Sequence, residues 1–134
     1  MRRKIEMKVL LLLLLATVGF TLLTGCSPTS AEFGTMTSEE AYDFLQTSDA
    51  IVMVIDVRSI EEFRSGHVRG AISLPLEDIE EEMSNITKDK STTILVICRS
   101  GVRSQAASQI IADLGFVNVY DIGGILSWPG DVVQ

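Results

Sequence analysis

The chain contains 134 residues, with 11 Lys and Arg against 18 Asp and Glu, and a formal net charge of −7. This length allows one domain once a leader is set aside. Residues 1–25 hold four Lys or Arg and one Glu, so 7 basic and 17 acidic residues follow them, with a net charge near −10. Because phosphate contacts require Lys and Arg, this balance excludes nucleic acid as a partner and a purely electrostatic grip on anionic lipids.

The chain begins with the pattern of a bacterial export signal. Four basic residues precede an apolar run of 15 residues, 9–23, that includes six consecutive leucines. The run is shorter than the ~20 residues of a spanning helix, so we predict a signal peptide over residues 1–25. The segment Leu23-Thr24-Gly25-Cys26 resembles the cleavage box of bacterial lipoproteins, and Cys26 is the predicted lipidation site. The alternative is an ordinary signal that contains a cysteine.

Residues 26–36 are small and polar, with one Pro and one Gly, which predicts a flexible tether after the lipid-bearing cysteine. Two or more acyl chains give a stable anchor, so we expect a lipid-anchored protein of the bacterial cell envelope that faces the extracytoplasmic side. Cys98 would then remain a free thiol. A disulfide between Cys26 and Cys98 is the alternative in an oxidising compartment.

From residue 37 onward, helix and strand patterns alternate. Apolar residues spaced three or four apart predict helices, and continuous β-branched runs predict buried strands. A first helix is capped by Thr37 or Ser38. After it come predicted strands at 51–55, 71–74, 92–97 and 117–122, and predicted helices at 60–64, 76–86 and 102–114. The alternation predicts one α/β domain over residues 37–134, with a central, mostly parallel sheet flanked by helices on both faces.

Cys98 stands at the end of a predicted buried strand, where parallel sheets place their active sites. A short loop with Gly101 follows, and then a helix begins. Backbone N–H groups can therefore converge on the sulfur, while the helix dipole, Arg99 and Arg103 add positive charge. These features favour the thiolate, which is the nucleophilic form of cysteine. The alternative is an inert cysteine that ends a core strand.

Five segments together resemble a single rhodanese domain over about residues 36–128. They are residues 56–58, 62–72, 74–75, 98–104 and 123–128, and they occur in the family's order. The resemblance implies a three-layer rhodanese-like fold. It also implies transfer of sulfane sulfur without a metal or an organic cofactor.

By this resemblance, Cys98 is the catalytic residue. It attacks the outer sulfur of an anionic donor such as thiosulfate, releases sulfite and holds a persulfide, which cyanide or a thiol, including a protein thiol, then accepts. Backbone N–H groups stabilise the persulfide as an oxyanion hole stabilises its oxyanion. The residues assigned to the persulfide cradle are Arg99, Ser100, Gly101, Val102, Arg103 and Ser104.

Two other functions compete with sulfur transfer. Cysteine phosphatases and arsenate reductases carry five residues between the cysteine and the arginine of their loop, whereas four separate Cys98 from Arg103. The shorter loop should crowd out phosphate or arsenate. The second alternative is a non-catalytic or regulatory rhodanese-like binding module at the membrane surface, although a docking domain needs no basic nest around a thiol.

Three residues are assigned supporting roles: Asp56, Arg58 and Trp128. We expect Asp56 and Arg58 to belong to an ion-pair network that supports the fold; the alternative is that Asp56 orients the loop through Arg103 and that Arg58 pairs with Glu62.

Trp128 is expected either to wall the active-site pocket or to be a core aromatic. The only histidine, His67, is interpreted as a fold element. Few residues follow Trp128, which predicts a more open pocket than in the family.

Overall fold

The computed structural model describes residues 30–134. The predicted signal peptide, Cys26 and the first residues of the predicted tether lie outside the described residues. Between residues 30 and 134, no helix combines the length and the apolar character needed to cross a membrane.

The described part of the chain alternates strands and helices as the sequence predicts. The strands are β1 (Gly34–Thr35), β2 (Val52–Asp56), β3 (His67–Val68), β4 (Ile72–Ser73), β5 (Thr93–Cys98), β6 (Asn118–Gly124) and β7 (Val132–Val133). The helices are α1 (Ser38–Thr47), α2 (Ile60–Arg64), α3 (Ile79–Ile86) and α4 (Val102–Asp113). Two 3-10 turns, Leu76–Asp78 and Ile125–Ser127, precede α3 and follow β6.

Five strands form a parallel sheet in the order β1-β6-β5-β2-β4. Side chains of β5 alternate between its two faces. Ile94, Val96 and Cys98 pack in the core beneath α3 and α4, whereas Leu95 and Ile97 pack in the core on the α1 side. The predicted three-layer α/β fold is therefore confirmed. Because all five strands run the same way, their carboxyl ends meet at one edge of the sheet, with Cys98 near its centre.

Two helices begin with a reciprocal cap. The Thr37 hydroxyl accepts the N–H of Glu40, whose carboxylate accepts the N–H of Thr37 at 2.8 Å. Ser59 and Glu62 make the same exchange at the start of α2. Such boxes satisfy N–H groups that have no partner within the helix, so they fix where each helix starts.

The segment predicted as a tether contributes to the sheet. Gly34 and Thr35 form β1, which pairs with Tyr120 and Asp121 of β6. The prediction of a tether up to residue 36 is therefore wrong at its end, because Phe33 packs against the core and Gly34 lies flat against the ring of Tyr120. A two-residue strand is too short to show a period in the sequence.

The last strand and the C-terminus also differ from the prediction. β6 continues through Gly123 and Gly124, two residues beyond its predicted end at residue 122. Residues Val132 and Val133 form β7, which pairs antiparallel with His67 and Val68 of β3. The short C-terminus thus ends in a two-stranded ribbon beside the main sheet.

Candidate active site

The Cys98 sulfur lies beneath the loop that joins β5 to α4. The residue is 1% exposed, and its Sγ accepts the N–H of Gly101 at 3.0 Å. Gly101 has a φ of +107°, a left-handed conformation that L side chains rarely adopt. This conformation lets the loop fold back over the sulfur. Gly101 therefore shapes the loop between Cys98 and the helix, as the sequence predicts.

Helix α4 begins at this loop without a side-chain cap. The first N–H groups of a helix have no partner within the helix, and they carry the positive end of its dipole. At α4, the Cys98 sulfur accepts the N–H of Gly101, the residue at which the helix is capped. A negative charge on Cys98 therefore completes the helix end.

The surroundings of Cys98 favour its thiolate. Burial raises the pKa of the Cys98 thiol, but the hydrogen bond between Cys98 and the Ser104 hydroxyl, together with those from the N–H groups of Ser104, Gly101 and Ser100, outweighs burial, and the net pKa is lowered. A lowered thiol pKa increases the nucleophilic fraction at neutral pH.

Ser104 connects the cysteine to a residue that the sequence analysis did not select. The buried Ser104 Oγ lies 3.6 Å from Cys98 Sγ and 2.6 Å from Asp121 Oδ1. Asp121 Oδ1 also accepts the N–H of Gly123 at 3.0 Å. The signal in the sequence was slight: Asp121 stands in the strand next to β5, opposite Val96.

Gly124 allows the loop to approach β6. A Cβ at this position would lie 2.2 Å from the Arg99 carbonyl oxygen and 2.6 Å from Ser100 Cα. Both are backbone atoms that cannot turn aside, so any larger residue would displace the loop. The register of β5 and β6 shifts between Val96 and Cys98, at the same place.

Two ion pairs lie near the loop. Arg58 pairs with Asp56 at 2.7 Å and donates to the Gly66 carbonyl at 2.6 Å. Arg103 pairs with Glu62 through two bonds, of 2.7 and 2.9 Å. The contacts of Asp56 with Arg103 and of Arg58 with Glu62, which the alternative required, are therefore wrong, because each arginine pairs with the other carboxylate.

Each pair fixes a different element. Asp56 and Arg58 are buried, and they hold the turn at Gly66 against the end of β2. Glu62 belongs to the cap of α2, so its pair with Arg103 ties α2 to the first turn of α4. The Arg103 guanidinium lowers the pKa of Glu62 to about 2, with further help from the Ser59 N–H. Much of the charge on Arg103 is thereby balanced within the protein.

Arg99, by contrast, has no ion pair within residues 30–134, and its side chain is exposed. Ser100 is exposed as well, and Val102 is 77% exposed at the first position of α4. Leu126, 72% exposed, donates its N–H to the Arg99 carbonyl at 3.4 Å. The rim of the loop thus presents one free guanidinium among apolar side chains.

Trp128 and His67 each pack against an aromatic ring. Trp128 packs edge-on against Tyr42, with ring centroids 5.7 Å apart, in the cluster on the α1 face. It lines a groove of about 500 Å³ on that face, to which no residue of the 98–104 loop contributes. The His67 ring stacks on Phe63, with centroids 3.8 Å apart, and its Nδ1 lies 3.1 Å from the Phe63 carbonyl.

Comparison with known proteins agrees with this geometry. The family model described as the rhodanese-like domain matches residues 37–131. The chain belongs to this family. Among curated relatives, the thiosulfate sulfurtransferase PspE of Escherichia coli is 37% identical over 71 residues, which cover 53% of this chain and 68% of PspE. The putative sulfurtransferase YtwF of Bacillus subtilis is 36% identical over 84 residues, 63% of this chain and 80% of YtwF.

Solved structures of the family share the fold. A rhodanese from E. coli, determined with anions, aligns with a TM-score of 0.59 and 32% identity over 62% of this chain and 98% of its own. A rhodanese-related protein from Thermoplasma volcanium aligns with a TM-score of 0.64 and 28% identity, covering 75% of this chain and 97% of its own. Sulfurtransferases are thus among the relatives of this rhodanese-like domain.

The bond between Glu62 and Arg103 predicts a pH-dependent stability. A carboxyl group whose pKa falls from 4.5 to about 2 on folding stabilises the fold above pH 4.5 and loses that contribution as the pH falls towards 2. We expect Glu62→Gln to cost about 1 kcal/mol of unfolding free energy at pH 7. The difference from the wild type should shrink below pH 4.

Urea unfolding at pH 7, 5 and 3 measures this difference, with Glu80→Gln on the exposed face of α3 as the matched control. A Glu62→Gln effect that is equal at all three pH values would contradict an ionic origin.

Proposed function

We propose that this protein is a sulfurtransferase that carries sulfane sulfur as a persulfide on Cys98. One observation supports the proposal above the others: the Gly101 N–H donates to a buried cysteine sulfur at an uncapped helix N-terminus. A thiolate and a persulfide anion both need such donors, and an inert core cysteine needs none. The relatives named sulfurtransferases agree with it.

The first half-reaction loads the cysteine. The Cys98 thiolate attacks the outer sulfur of a donor such as thiosulfate and forms a new S–S bond. The donor's own S–S bond breaks, and sulfite leaves with its electron pair. The exposed guanidinium of Arg99 attracts the anionic donor, and the N–H groups of the loop hold the negative outer sulfur.

The second half-reaction removes the outer sulfur from the Cys98 persulfide. A thiolate or cyanide attacks the outer sulfur, and the Cys98 thiolate leaves with the electron pair of the broken S–S bond. The products are a persulfide of the acceptor or thiocyanate. The loop amides that bound the persulfide then stabilise the leaving thiolate, so one set of donors serves both steps.

A second candidate function is a binding module without turnover. The exposed side chains of Val102 and Leu126 beside the loop favour it, because exposed apolar surface often marks a site of contact with another protein. The same rim also suits a protein thiol as the sulfur acceptor. A persulfide on Cys98 distinguishes the module from the enzyme.

We also propose that the protein is a lipoprotein, anchored through Cys26 to the extracytoplasmic side of a bacterial membrane. The support is the sequence of residues 1–26, with its basic start, leucine run and lipoprotein-like box.

Sulfur loading is measured by intact mass spectrometry on a chain of residues 27–134, in which Cys98 is the only cysteine. After thiosulfate, we expect a gain of one sulfur atom that cyanide or a thiol removes. Cys98→Ala should show no gain. If thiosulfate, polysulfide and a thiosulfonate all fail to load the wild-type chain, the binding module becomes the better account.

Lipid attachment is measured on the full chain expressed in bacteria. We expect membrane-bound protein whose N-terminal peptide begins at Cys26 and carries the mass of its acyl chains, because the cysteine is the predicted cleavage point. Cys26→Ala should lack this peptide. An unmodified Cys26 in the mature wild-type protein would refute lipidation.

A further inference from the structure

Ser104 has more acceptors than one hydroxyl can serve. Within 3.2 Å of its Oγ lie Asp121 Oδ1 at 2.6 Å, the Gly101 carbonyl at 3.0 Å and the Gly123 carbonyl at 3.2 Å. A hydroxyl has a single proton to donate. The shortest contact is also the one to a carboxylate, and charge-assisted bonds are the stronger ones. In the thiol state, Ser104 therefore donates to Asp121 and accepts from the Cys98 S–H at 3.6 Å.

Ionisation of Cys98 changes this arrangement. A thiolate has no proton to give, so Ser104 can stabilise it only by turning its own proton towards the sulfur. Asp121 would then keep only the N–H of Gly123. The carboxylate and the thiolate thus compete for one proton on a side chain that is 0% exposed.

We propose that Asp121 is a positioning residue that acts through Ser104 and holds back the ionisation of Cys98. The inference rests on the proposed function for its purpose. The N–H groups and the helix end stabilise the thiolate, but a thiolate loses nucleophilicity as its pKa falls, and the best attacking thiol has a pKa near the ambient pH. By competing for the Ser104 proton, Asp121 counteracts the stabilisation of the thiolate by the loop. Cys98 thereby keeps its nucleophilicity.

The other charged groups around the loop leave this role to Asp121. Those on the elements packed against it form two ion pairs, one free cation and one carboxylate in the first turn of α1: Asp56 with Arg58, Glu62 with Arg103, Arg99, and Glu39. Within the described residues, only Asp121 reaches the cysteine through a shared hydrogen-bond partner.

The test is the pH dependence of Cys98 alkylation by iodoacetamide in the chain of residues 27–134, which contains every described element. We expect Asp121→Asn to lower the midpoint by about one pH unit, because the amide keeps the oxygen but removes the competing charge. Asp43→Asn makes the same change on the exposed face of α1 and should leave the midpoint unchanged.

The role of Ser104 is tested by repeating Asp121→Asn in two backgrounds. In Ser104→Ala the shift should fall below half, since the shared hydroxyl is gone, whereas Ser104→Thr keeps the hydroxyl and should keep the shift. An unchanged or raised midpoint in Asp121→Asn would overturn the proposal, as would an undiminished shift in Ser104→Ala. No sulfur donor is used, so the result is independent of whether the protein transfers sulfur.

Discussion

A sulfur atom that lies almost without solvent contact can hold a negative charge only if the protein provides hydrogen-bond donors in place of water. At Cys98 these donors are the N–H of Gly101 and its neighbours at the start of α4. They converge because β5 ends at the cysteine and the chain turns back immediately. Much of the surrounding structure keeps this turn in place.

Three contacts hold the loop from different sides. Gly124 lets the backbone of Arg99 and Ser100 rest against β6 without a side chain between them. Glu62 clamps Arg103, and with it the first turn of α4, to the capped start of α2. Asp121, on β6, accepts a hydrogen bond from the Ser104 hydroxyl. A site built on strand ends and helix starts is more rigid than one carried by a long loop, which suits a catalytic cradle.

The geometry of the Cys98 loop could be predicted from the sequence, because it depends on residues that are close together in the chain. Cys98, Gly101 and the start of α4 lie within five residues, so their joint geometry follows from local rules. The pair of Arg103 with Glu62 was not predicted, because the two residues are 41 positions apart and their meeting depends on how α2 and α4 pack. The last strand was predicted to end at residue 122, whereas the structure continues it to Gly124 and needs glycine there for the approach of another segment. Asp121 remained unnoticed for the same reason, since only the pairing of β5 with β6 brings it beneath the loop.

The most direct test of this account is the thiol pKa of wild-type Cys98, measured by the thiolate absorbance near 240 nm against pH in the chain of residues 27–134. A free cysteine ionises near pH 8.5. The account predicts a midpoint below that value, because the hydrogen bond with the Ser104 hydroxyl and the converging N–H groups together outweigh the effect of burial. A midpoint at or above that of a free cysteine would mean that the loop does not stabilise the thiolate, and the proposed cradle would then be contradicted.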